Sequence, residues 1–457
     1  MKTTRSPEEQ RSRLIGFRQR VYEKGMVQRS DALFDLLDAL LLSGPVRSFA
    51  ELSQSPAFRR RWPSLYAALE DGRLRSRWIE GLLTAQVPQD GVELFVLDAT
   101  ATPRGQAPTL SDRQYVHSPT AEVNGKSIVV GVPYSVLSWA AELKTSWVLP
   151  LEFTRIASTR TAIEVGVRQL KRLCRRRKRR GPGFDIVAAD AAYGNSKFLR
   201  PLKDERVGIV ARLRKDRVLY GKGRRRCRFG RTPVHGERFA FKEPETWPEP
   251  DEQTTVEDAQ WGTVVIRRWN DLHAKEAADT PFAVVRVEAH TEREKPSKPL
   301  WLAWQAPAGG TEAEPSVEQI WRWYGGRYGI EASFRWRNQE LHGRLPRLQS
   351  NEATDRWNLL VSLGQWILYL ARGIVLDDPL PWQKAQATLS PSRVLRGLGA
   401  LFSQIGTPAA PPQTRGKSPG WLPGRERSRP QRHPIVKKTP KKAKKPRKAS
   451  QTAPVAA

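Results

Sequence analysis

Tyr324, Arg327 and Glu331 lie in the segment WYGGRYGIEASFRWRNQELHG, separated by three and then four residues. A helix would raise all three on one face, with a cation one turn below the carboxylate. That arrangement holds an acid in place for use, and a plain surface ion pair on a helix has the same spacing. Two more acids close apolar runs: Asp98 in ELFVLDAT and Asp190 in FDIVAADAAYG. An aspartate at the C-terminal end of a strand leaves the core at the sheet edge, where it can face a ligand, although such a residue also serves as a turn or cap. If the three carboxylates converge they repel one another unless cations bind between them, and hard oxygen donors suit Mg²⁺ or Mn²⁺. Two ions about 3.5–4 Å apart would activate a water or a 3′-hydroxyl and stabilise the leaving oxygen of a phosphodiester.

The bulk properties fit such a substrate. The chain has 457 residues, 39% of them hydrophobic, enough for two or three domains with a sizeable core. No apolar run approaches the roughly 18 residues that span a bilayer, and MKTTRSPEEQRSR lacks the apolar stretch of a signal peptide. These features predict no membrane partner and a cytoplasmic, nucleoid-associated protein. Two cysteines, Cys174 and Cys227, exclude a four-cysteine zinc site and fit a reducing compartment. The net charge of +31, from 78 Lys and Arg against 47 Asp and Glu, points to a polyanion, with nucleic acid the default partner. From Thr407 onward the net charge is +13, which leaves +18 on the rest of the chain, so the basicity is not confined to the tail.

Elements that could position the three acids follow in order. Residues 1–88 read as a helical, DNA-binding domain, with Leu33, Phe34, Leu37, Leu40 and Leu41 at helical spacing, Ser30 as a cap, and basic clusters at 59–61 and 73–77. From Val92 the pattern changes to three strands (ELFVLDAT, SIVVGVPYSVLSWA, WVLPLEF), a helix over 159–180, the strand before Asp190, a helix around 196–204 and the strand VGIVARL. That order predicts an α/β fold: a ribonuclease-H-like mixed sheet in a catalytic core of residues 90–213 and 300–375. Residues 214–299, richer in Pro, Gly and charge, read as an inserted β-rich subdomain. PLWLAWQ returns to the core, Ser316 caps the helix carrying Tyr324, and a second helix runs over 353–372. A helical segment over 376–406 and a disordered basic tail over 407–457 complete the chain.

The order Asp98, Asp190, Glu331, with an insertion between the last two, resembles the DDE transposases of bacterial insertion sequences. The resemblance is to the group marked by Y-x2-R-x3-E-x6-K: here Tyr324, Arg327 and Glu331 match, and Asn338 stands at the lysine position. LDAT and AADAAYG resemble the other two motifs, and the similarity spans about residues 90–375. It implies cut-and-paste transposition, with cleavage at terminal inverted repeats, strand transfer of the 3′-OH into target DNA, and a homodimer on double-stranded DNA. It further implies two Mg²⁺ ions, replaceable by Mn²⁺, on Asp98, Asp190 and Glu331, with Tyr324 and Arg327 on DNA phosphates. Arg327 could also orient Glu331, and Asn338 would give a phosphate a neutral hydrogen bond. Some relatives stack a flipped base on a tryptophan of the inserted region, and Trp301 is the candidate here, set against a core role beside Trp304.

His117, Asp112 and the basic run over 171–180 are secondary candidates for the metal site or for phosphate contact. The lysine-rich end reads as a nuclear localisation signal or a nonspecific DNA tether. Two rivals share the same core: a nuclease that cleaves without joining, and a catalytically silent DNA-binding protein.

Overall fold

The computed structural model describes residues 6–118, 127–142, 146–178, 183–225, 231–290, 298–311, 313–413, 424, 426 and 429–438, and the structural statements below concern these. The first helix, α1 (Pro7–Arg20), starts from a capping box between Ser6 and Glu9 with Pro7 at the first position. Next come β1 (Met26–Gln28), α2 (Ser30–Leu42), α3 (Pro63–Asp71), β2 (Arg73–Leu74) and α4 (Ser76–Thr84), with β1 and β2 paired antiparallel. The apolar face read from Leu33 to Leu41 is buried. Ser30 is the first helical residue rather than the cap, because Arg29, at φ 58°, turns the chain into the helix.

Several arginines of this region are committed to internal acids. Arg18 forks onto buried Asp38 at 2.7 Å and 3.0 Å, and Arg59 and Arg60 both grip Asp35. Arg59 also donates to the carbonyl of Ala409 and Arg60 to that of Ala410, which ties the start of the tail to α2 and to the segment before α3.

The central sheet contains β3 (Glu93–Pro103), β4 (Gln114–His117), β5 (Ile128–Ala140) and β6 (Val148–Arg155). It continues, after α5 (Ala162–Arg177), with β7 (Asp185–Ala189), α6 (Ser196–Leu199) and β8 (Val207–Arg212). Across it the order is β6-β5-β3-β7-β8, the first three antiparallel and β7 and β8 parallel to β3. This is the ribonuclease-H-like arrangement expected from the element order. Between β8 and the return strand, β9 (Val218–Lys222) and β10 (His235–Ala240) form a separate hairpin. The strands β11 (Glu252–Asp258), β12 (Gly262–Leu272), β13 (Phe282–His290) and β14 (Leu300–Gln305) instead add antiparallel onto β8, so most of the inserted strands extend the core sheet to ten strands.

Helices α7 (Val317–Gly325), α8 (Gly329–Gln339), α9 (Asn351–Ala371) and α10 (Pro391–Ile405) close the structure. Almost all of α9 is buried: Trp366 donates to the Pro150 carbonyl of β6 and Trp357 to that of Gly343. One apolar cluster joins α9 and the N-terminal helices to one face of the sheet, and another packs α7 on the opposite face. No described helix is long and apolar enough to cross a membrane.

The tail departs from the expectation of disorder over 429–438. Val436 bridges Gln114 of β4, the Val436 and His433 amides donate to the carbonyls of Arg113 and Pro108, and Arg113 returns a bond to the His433 carbonyl. A sheet edge has main-chain groups to satisfy, and a short extended segment can satisfy them whatever its composition. The lysine-rich end beyond residue 438 lies outside the described residues.

Candidate active site

Strand alternation decides where the two aspartates point. In β3, Phe95 and Leu97 belong to the cluster on the α5 and α9 face, while Leu94 and Val96 pack on the α7 face; Val187 and Ala189, against Ile186 and Ala188, repeat this in β7. Asp98 and Asp190 each continue the second series, so both fall on the α7 face. The parallel pairing ends at Leu97 and Ala189, and the aspartates are the next residue on each strand. Neighbouring strands lie about 4.8 Å apart, so the carboxylates sit side by side where β7 leaves β3.

Local bonds fix each of them. Asp190 accepts from the Ala192 amide at 2.9 Å, which starts a tight turn. Gly194 completes it, because a Cβ there would lie 2.0 Å from the Arg212 carbonyl oxygen. Asp98 accepts from the Ala99 amide at 2.8 Å through Oδ1 and from Arg327 at 3.3 Å through Oδ2. Only 16% of its side chain is exposed. Burial pushes the Asp98 carboxyl up to about 6; the Asp190 and Glu331 charges add to the rise, while the Ala99 amide and Arg327 oppose it.

The third acid arrives from the helical segment after β14. Ser316 caps α7 through a capping box with Gln319, as the sequence predicts. Tyr324, Arg327 and Glu331 do not share one uninterrupted α-helix: α7 ends at Gly325, residues Gly326–Tyr328 tighten into a 3₁₀ turn, and α8 begins at Gly329. Three glycines within five residues weaken the helix at that point. The backbone stays right-handed throughout, so the side chains remain together, and Arg327 donates to Glu331 at 3.1 Å. One guanidinium therefore joins Asp98 to Glu331.

Its surroundings are aromatic. Arg327 is buried, 5.7 Å from the Tyr324 ring centroid and 5.1 Å from that of Tyr328. Tyr324 is buried against the sheet, its hydroxyl close to Arg327 but without a formed hydrogen bond. Glu331, by contrast, has a side chain 59% exposed. Asn338 lies two turns further along α8 on the side of Glu331, half-buried, with Oδ1 against Gly343.

Trp301 takes the core role, the alternative to a stacking platform. It is 3% exposed, stacked on Phe241 at 4.0 Å between ring centroids and surrounded by Phe239, Trp247 and Trp269. Its place in β14, between β13 and β8, turns it into the core, and one ring face is already taken by Phe241. The exposed aromatic beside the carboxylates is Tyr328, at 51%; its only signal in the sequence was adjacency to Arg327.

Other candidates resolve into structural roles. Asp112, at φ 57°, accepts from the Ser158 amide and closes a loop, and His117 lies exposed on β4. In the basic run, Arg172 and Arg176 grip Glu152, Arg176 reaches Glu80, and buried Arg177 pairs with Asp185 while donating to the carbonyls of Val87 and Pro88. Arg179 and Arg180 lie outside the described residues.

The donor set fits divalent ions in kind: three oxygen acids, one of them held up in pKa partly by the others. In the present arrangement no three potential ligands converge as a ready cage among the described residues. Asp98 and Glu331 turn instead to the guanidinium between them.

No curated protein matches the chain significantly. Among solved structures, the cryo-EM structure of a piggyBac transposase synaptic complex with hairpin DNA is 11% identical over 91% of this chain and 88% of that chain, with a TM-score of 0.42. The transposase DDE domain matches residues 182–363, and the DDE superfamily endonuclease family matches residues 23–272. The second match spans more than half of the sequence, and this chain belongs to the DDE superfamily endonucleases as a DDE transposase.

Proposed function

We propose that this protein carries out cut-and-paste transposition of an insertion sequence, cleaving DNA at terminal inverted repeats and joining the freed 3′-OH to target DNA. The observation that carries this reading is the placement of Asp98 and Asp190 as neighbours just past the last paired residues of β3 and β7, with Glu331 tied to Asp98 through Arg327. Asp98, Asp190 and Glu331 would hold two Mg²⁺ ions, or Mn²⁺ in their place. Such ions, when bound, activate the attacking oxygen and stabilise the leaving one.

The chain's own residues supply the rest. Asp98 and Asp190 are held by strand register and by the Ala99 and Ala192 amides, so their geometry is preorganised. Arg327 and, after local rearrangement, Tyr324 contact DNA phosphates near the cut, and Asn338 hydrogen-bonds a phosphate where related transposases use lysine. Exposed Tyr328 offers its ring to a base or sugar at the same rim. Residues 1–88 contribute DNA binding through arginines that remain exposed, Arg61, Arg73 and Arg75. Two copies act on paired ends, since both ends must be cut and joined together.

The test is strand transfer in vitro. Purified protein receives paired terminal-repeat DNA, a target plasmid and Mg²⁺, and joined products are scored for the wild type and for Asp98→Asn, Asp190→Asn and Glu331→Gln. Loss of joining by about 10³-fold or more in each variant, with DNA binding retained, is the expected result. Joining at wild-type level in the variants refutes the assignment, and cleavage without joining by the wild type favours a nuclease.

A further inference from the structure

Arg327 uses both terminal nitrogens on the carboxylate site: Nη1 lies 3.3 Å from Asp98 Oδ2 and Nη2 lies 3.1 Å from Glu331 Oε1. Its Nε is buried without a hydrogen-bond partner, and the guanidinium lies beside the rings of Tyr324 and Tyr328. The Asp98 oxygen that Arg327 holds is the one left over by the backbone, since Oδ1 already accepts from Ala99. Asp190 likewise has Oδ1 engaged by Ala192. A cation approaching between the strands therefore meets an Asp98 Oδ2 already occupied by a positive group.

We infer that Arg327 is the internal counter-ion of the carboxylate site and competes with divalent metal for Asp98 and Glu331. The inference rests on the reading of these acids as metal ligands. With the guanidinium in place, mutual repulsion of the three carboxylates is partly relieved and the site is stable before metal arrives. A divalent ion must displace that contact or share the carboxylates with it, and in either case the positive charge of Arg327 opposes metal binding. Once Asp98 is released, the guanidinium is free to turn toward a phosphate. Metal occupancy and DNA contact by Arg327 are then linked events.

A residue that only orients Glu331 for metal has the opposite signature, so the direction of one measurement decides. Mn²⁺ binding to the full-length protein is measured by titration calorimetry, without DNA, for the wild type, Arg327→Ala, Arg327→Gln and Asp190→Asn. Thermal melting with and without Mn²⁺ reports folding of each. Both Arg327 variants are expected to bind Mn²⁺ about tenfold more tightly than the wild type and to gain more in melting temperature on adding it. Equal or weaker binding by a folded Arg327→Gln overturns the counter-ion role. The Asp190→Asn protein separates the two ideas: strongly weakened Mn²⁺ binding supports the metal-ligand reading whatever Arg327 does. Unchanged binding in Asp190→Asn overturns that reading and this inference with it.

Discussion

Asp98 and Asp190 occupy the first positions beyond Leu97 and Ala189, the last paired residues of two adjacent parallel strands. That one register relationship puts both carboxylates on the same face, at the same level, where β7 departs and β3 runs on beside β5 alone. Arg327 reaches Asp98 at that point and links it to Glu331.

The burial of Asp98 has a cost that depends on pH. Asp98 has a carboxyl raised from an ordinary 3.8 to about 6, first by burial. Between those values folded Asp98 holds more of its proton than it does in the unfolded chain, so its contribution to stability is full below about pH 4 and is lost as pH rises through about 6. Asp98→Asn should therefore raise the melting temperature of the metal-free protein above pH 6, by the equivalent of about 1–3 kcal/mol. The difference should vanish below pH 4; melting curves across pH 3.5–8 check both limits.

Gly194 offers a backbone test of the same site. An added methyl would meet the Arg212 carbonyl of the neighbouring strand at 2.0 Å, so Gly194→Ala should shift the turn that begins at Asp190 and cost about 3 kcal/mol. Chemical denaturation measures that loss, and joining activity should fall further than DNA binding.

Trp301 and Tyr328 should separate by phenotype. Trp301→Ala empties the centre of the aromatic cluster and should destabilise by about 3–5 kcal/mol, whereas Trp301→Phe should keep much of both stability and activity. Tyr328→Ala should leave the melting temperature nearly unchanged and reduce cleavage of terminal-repeat DNA. If Trp301→Ala melts like the wild type yet fails to cleave, the tryptophan acts on DNA after all.

Asn338 stands half-buried on α8, on the side of Glu331. Asn338→Lys adds a positive charge there, and the expected outcome is tighter binding of terminal-repeat DNA, with the salt dependence steepened by about one counter-ion. Binding isotherms between 50 and 300 mM salt, chosen as about the useful range, provide the check. An unchanged slope would mean that residue 338 does not face the phosphates.

Much of the core was legible because its signals are local. The runs around Asp98 and Asp190, the capping residue Ser316 and the long apolar helix that became α9 all depend on residues close in sequence, and each appears nearly where the pattern predicts it. The 3₁₀ turn at Gly326–Tyr328 was present in the glycines but masked by the regular spacing of Tyr324, Arg327 and Glu331. Basic runs that looked like DNA surfaces proved harder to read, because a charge does not state its partner. Glu152 and Asp35, far away along the chain, claim Arg172, Arg176, Arg59 and Arg60.

By itself the sequence determined which residue types are available for chemistry and which strands and helices carry them, since periodicity and capping act over a few residues. Only the tertiary structure decided that β11–β14 extend the core sheet, that Trp301 is buried, that residues 429–438 dock beside β4, and that Arg327 spans Asp98 and Glu331. Each of those outcomes depends on which distant surface reaches a sheet edge, an aromatic ring or a buried charge first, and long-range pairing leaves no periodic mark on the chain.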